Sequence, residues 1–127
     1  MTTILDINAD DWKTEVLESP TLVVVCFYHD ECPWSRELNP IIEKVAGEYA
    51  GRIRFVRMNV LSRKENMQVA LRHGVRSVPA LNFFYMGRHV ETIFGLVEES
   101  FLRHILDEAL EMHRKRAKQC TILEATS

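Results

Sequence analysis

The feature that most constrains this chain is Leu22–Tyr28, an unbroken run of apolar and β-branched residues. Such runs suit a central strand buried on both faces. The run ends in polar His29, Asp30 and Glu31, then Cys32, and a helix-like pattern follows at once from about Pro33. Leu38, Ile41, Ile42, Val45 and Tyr49 repeat at helical spacing, and Gly51 closes the helix. A buried strand therefore delivers a thiol to the first turn of a helix. Amide N–H groups there lack intrahelical partners, and the macrodipole places partial positive charge among them. That setting favours a thiolate over a thiol. Asp30 and Glu31 oppose the shift through like charge, and a protonated His29 would assist it.

The rest of the chain arranges itself around this strand. Thr3–Ile7 reads as a short strand, and Asn8 with Asp11 as a weak capping box for a helix carrying Trp12, Val16 and Leu17. Ser19-Pro20 stops it. Pro40 should kink the Cys32 helix, because it lacks an N–H and its ring crowds the preceding turn. Ile53–Val60 is the next strand. Ser62 and Glu65 form an S-x-x-E capping box for a helix ended by Gly74, with Met67, Ala70 and Leu71 as its apolar stripe. His73 reads as a C-terminal cation on that helix. Ala80–Met86, a two-residue turn at Gly87-Arg88 and His89–Phe94 form a hairpin, the leading glycine suiting a type II′ turn. Phe101, Leu102, Ile105, Leu106, Ala109 and Leu110 mark a last amphipathic helix. The order β-α-β-α-β-α-β-β-α implies a mixed central sheet of about five strands with helices on both faces, an α/β fold. One domain spans 1–112, followed by a polar, partly disordered tail over 113–127.

Composition narrows the function. The chain has 127 residues and a formal charge of −2, which gives no whole-chain case for nucleic acid binding. No apolar run approaches the ~20 residues of a membrane span. The N-terminus lacks a signal-peptide pattern, so a cytoplasmic protein is expected. Three cysteines are too few and too uneven for a disulfide framework. No Cys/His cluster has zinc spacing, and neither metal nor cofactor is expected. The basic run His113-Arg114-Lys115-Arg116-x-Lys118 reads as a solvated helix end rather than a site for nucleic acid or lipid.

In this order the motifs resemble those of the thioredoxin family over roughly Asn8 to Leu110. Phe27-Tyr28-x-x-x-Cys32-x-x-Ser35 is similar to the family's F-W-A-x-W-C-G-P-C. Pro40 matches the proline in the active-site helix. Val75-Arg76-Ser77-Val78-Pro79-Ala80-Leu81 resembles I-R-G-I-P-T-L, whose proline follows a cis peptide bond. Gly87 and Gly95 match the hairpin and post-strand glycines. The resemblance implies a thioredoxin fold with Cys32 as the nucleophile, Pro79 facing it, and Pro33, Trp34, Val78, Pro79 and Gly95 around the substrate. The departures carry the functional argument. Ser35 replaces the resolving cysteine, Glu31 the preceding tryptophan, Pro33-Trp34 the Gly-Pro, and Cys26 the buried aspartate that serves the resolving thiol.

An alcohol is a poor nucleophile toward sulfur at neutral pH, so Ser35 can donate a hydrogen bond to Cys32 but cannot release a mixed disulfide. The expected activity is thiol–disulfide exchange or reversible adduct formation through Cys32 alone, with protein disulfides or glutathione as partners. A non-catalytic adaptor, binding a protein through the groove around Trp34, Val78 and Pro79, is the other reading. A dithiol enzyme returns only if Ser35 stands in for a cysteine, and the missing buried carboxylate argues against that. A shared iron–sulfur cluster, by analogy with the C-G-F-S of monothiol glutaredoxins, fits C-P-W-S poorly. Cys26 reads as a small core residue, Cys120 as an incidental exposed thiol, Trp34 as a platform or a cover, and Met67 and the strand aromatics as core.

Overall fold

The computed structural model describes the backbone over residues 4–126 and the side chains over 4–115, so Cys120 and the basic side chains from Arg116 lie outside the described side chains. The elements are β1 (Ile4–Asp6), β2 (Leu22–Tyr28), α1 (Pro33–Glu48), β3 (Ile53–Asn59), α2 (Lys64–Arg72), β4 (Ala80–Tyr85), β5 (Arg88–Phe94) and α3 (Glu99–Thr126). One sheet has the order β1-β3-β2-β4-β5. The first three strands run parallel, and β4 and β5 add antiparallel pairs. The central position of β2 explains its composition: each of its two faces meets a separate half of the core. Leu22, Val24 and Cys26 join α1 and α3 through Leu38, Ile42, Leu102 and Leu106. Val23, Val25 and Phe27 join Trp12, Val16, Val69 and Ala70 on the other side. Each fully buried Val, Leu or Phe side chain contributes about 1.5–3 kcal/mol.

Several local expectations change. The segment after Asn8 keeps its capping box, but it forms a 3-10 turn at Ala9–Asp11 followed by a π-helical stretch at Lys13–Leu17, not one α-helix. Ser62 is not the cap of α2; Arg63 is, and the Ser62 hydroxyl donates instead to the Asn59 carbonyl at 3.0 Å. The buried face of α2 carries Asn66, Val69 and Ala70, while Met67 and Leu71 are exposed. Phe101 is exposed as well, and Leu102, Ile105 and Leu106 fill the core. The hairpin turns at Met86-Gly87, both with positive φ (53° and 79°), the signature of a type I′ turn. Gly87 has a further reason to lack a side chain, since a Cβ there would stand 3.2 Å from the Leu17 carbonyl oxygen. The backbone of α3 is helical through Thr126.

His73 is not a helix-end cation. Its ring packs on Trp12, Phe84 and His89, with centroids 5.1, 5.2 and 6.1 Å away. Burial first, then repulsion from His89 and Arg72, pushes its pKa below the ordinary histidine value.

Candidate active site

Cys32 is the N-cap of α1, with extended backbone (φ −82°, ψ 117°) and Pro33 at the first helical position. Pro33 has no N–H, which leaves the amides of Trp34 and Ser35 as the N-terminal donors near the sulfur. An N-cap side chain ordinarily accepts from these second and third positions. Here the neutral thiol makes no capping bond. It donates to the Val78 carbonyl, with sulfur and oxygen 3.7 Å apart. The Ser35 N–H is the largest influence lowering the Cys32 pKa; burial opposes it, and the Ser35 hydroxyl, the Trp34 N–H and the Arg36 charge add to the lowering. The sulfur thus has two settings: a thiol bonded across to Val78, or a thiolate held by the start of its own helix.

Ser35 is buried, and its hydroxyl finds no hydrogen-bond partner. A buried hydroxyl without a partner costs about 1–3 kcal/mol. The same hydroxyl is among the groups that favour the Cys32 thiolate. Cys32 keeps 9 % of its residue surface accessible. Trp34, two residues along the chain, is 59 % exposed and offers apolar surface to solvent.

The Val78–Pro79 peptide bond is cis. Pro79 is buried, and its carbonyl accepts the Gly95 N–H at 2.8 Å. That bond ties Gly95 (φ 87°) to the same rim as Cys32 and Val78. Cys32, Ser35, Val78, Pro79 and Gly95 therefore form one connected constellation, with Pro33 and Trp34 exposed at its edge. The charged side chain acting on Cys32 is Arg36, not the Asp30, Glu31 or His29 weighed from the sequence. Arg36 lies one helical turn beyond Cys32, a spacing that could have flagged it.

Cys26 and Cys32 are both free thiols. Cys26 is in β2, in register with Arg57 of β3, and faces the core beneath α1 and α3. Burial pushes its pKa up to about 12, far outweighing the opposite pull of Arg57. It is therefore a neutral core group at physiological pH. Arg57 spends its charge elsewhere: it forms a two-point pair with Asp6 (2.6 and 3.1 Å) and donates to Asn39 at 2.9 Å. Among the described residues, no group of three or more His, Cys, Asp or Glu side chains could hold a metal ion.

The family model for thioredoxin matches residues 3–108 of this chain. Thioredoxin 1 of Nostoc sp. is 33 % identical over 110 residues, covering 87 % of this chain and all of the relative. Thioredoxin 1 of Synechococcus elongatus is 35 % identical over 99 residues, covering 78 % and 90 %. A chloroplastic M-type thioredoxin of Chlamydomonas reinhardtii is 33 % identical over 104 residues, covering 82 % and 72 %. With a sheet, a cis proline and a helix-capping cysteine in these positions, the chain belongs to the thioredoxin family of redox proteins.

Proposed function

We propose that this protein carries out thiol–disulfide exchange through Cys32 alone. The observation that carries the reading is a thiol of lowered pKa at the cap of α1 with a serine, Ser35, three residues on, while the other described sulfur is neutral and buried. The Cys32 thiolate attacks one sulfur of a substrate disulfide. A new Cys32–S–S–R bond forms, and the other substrate sulfur departs as a thiolate, which takes a proton from water. No internal thiol then displaces R. An external thiolate such as glutathione attacks R's sulfur, forms R–S–S–glutathione and returns Cys32 as a thiolate. The substrates are protein disulfides or glutathione adducts, and a cytoplasmic setting supplies the external thiol.

Insulin reduction tests this. Without glutathione the protein should give at most one equivalent of cleavage, and glutathione with its reductase should restore turnover. Robust turnover without added thiol would refute the reading. A second reading, a non-catalytic adaptor, is favoured by the exposed Trp34 near Cys32, a residue largely covered. If a partner captured by the protein binds the Cys32→Ser variant unchanged, the adaptor reading holds instead.

A further inference from the structure

Beside the thiol lies a surface that the exchange reaction does not require. Two adjoining hollows of about 320 and 160 Å³ share Val60, Met67 and Leu71. The second reaches Val78, whose carbonyl faces the Cys32 sulfur. Together they make a continuous path from the reactive sulfur onto the outer face of α2. Its floor is apolar and open: Leu61 is 58 %, Leu71 57 % and Met67 39 % exposed. A run of exposed large apolar side chains beside a reactive group marks a contact surface. The rim has one sign of charge. Arg63, Lys64 and Arg76 line the hollows and no carboxylate does. Arg63 shares its charge with exposed Asp10 at 3.4 Å, whereas Lys64 and Arg76 form no ion pair among the described residues.

These observations favour one occupant. The hollows are open grooves suited to a chain segment rather than closed cavities suited to a small molecule. Met67 and Leu71 lie about 6 Å apart along α2, close to the distance between alternate residues of an extended chain. Val78 makes no backbone hydrogen bond through its N–H among the described residues, which leaves a main-chain donor for a segment laid along the path. The unpaired cations complement carboxylates. We propose that the α2 groove selects protein substrates whose disulfide cysteine is flanked by an extended segment with alternating apolar residues and acidic neighbours.

This rests on the thiol-exchange reading, but its test has an arm that does not. A peptide with alternating Leu and Glu residues, its cysteine replaced by serine, is titrated into the Cys32→Ser protein and followed by calorimetry. It should bind, more weakly as salt rises, and at least tenfold more tightly than the same peptide with Lys for Glu. Leu71→Ser and Lys64→Glu combined with Arg76→Glu should each weaken binding about tenfold or more. Both changes are on exposed side chains, so the fold is retained. Equal affinity for the Glu and Lys peptides, or no binding by either, overturns the proposal. In the second arm, the wild-type protein reacts with the matching disulfide-linked peptides and with oxidised glutathione. Equal rates for the Glu and Lys peptides refute selection by the groove while leaving exchange intact. Failure to react with any disulfide refutes exchange, while the binding arm still judges the groove. If the protein alone is a dimer in sedimentation that Leu71→Ser dissociates, the groove belongs to a second copy and the proposal falls.

Discussion

Ser35 is the residue on which the proposed exchange turns. A cysteine there would complete a dithiol. A serine has no thiol to offer, but its buried, unpartnered hydroxyl favours the ionised form of Cys32. The rate of Cys32 alkylation by iodoacetamide should therefore rise with pH around a midpoint below that of a free cysteine, about 8.5. Ser35→Ala should move that midpoint upward; an unmoved midpoint would remove Ser35 from the account. A folded-state pKa below the unfolded one adds stability above the unfolded value, and that stability is lost as pH falls through the folded value. Asn66 matters at the same scale for a different reason. It is fully buried, accepts the Ala9 N–H at 2.7 Å, and donates to Asn8 at 2.9 Å and to the Asn59 carbonyl at 3.0 Å. It ties the N-terminal segment to β3 and α2. Asn66→Ala strands a buried amide and should cost about 2–3 kcal/mol. A urea unfolding midpoint that drops with an unchanged slope would register it.

Among the elements, β2 and the start of α1 were the most legible. A seven-residue apolar run has one natural place in a mixed sheet, and its strand limits match the pattern residue for residue. Elements that use a periodic pattern on one face only were less so. In α2 the spacing of Met67, Ala70 and Leu71 suggested a buried stripe, yet polar Asn66 took the core position. Hydrophobicity cannot announce a buried amide that is bonded from three directions. His73 was misread for a related reason: its position at a helix end suggested a cation, while Trp12 and Phe84, distant in sequence, close over the ring. Its lowered pKa gives a test. The unfolded state gains a proton near pH 6.5 before the folded state does, so stability is held above that pH and lost as pH falls through the folded value. Between pH 7.5 and 5.5 the wild-type protein should lose more stability than His73→Phe, read from urea midpoints. Equal losses would mean the ring titrates normally.

For the whole molecule, the sheet order and its two-sided core follow from alternating elements and short connections. What the chain does with that frame depends on what its sulfurs can reach. Nothing in the spacing of Cys26 and Cys32 excluded a pair; the neutral, buried state of Cys26 in the folded sheet supplies that argument. The α2 groove was hidden from the sequence for the same reason that Met67 was assigned to the core. Its side chains meet Val78 only after the chain has closed on itself.

The most direct measurement is intact mass after oxidised glutathione is added to the folded Cys120→Ser protein, with peptide mapping of the product. A single glutathione adduct is expected, on Cys32, and it should persist until an external thiol is supplied. An unmodified Cys32, or an adduct that collapses unaided into a Cys26–Cys32 disulfide, would contradict it.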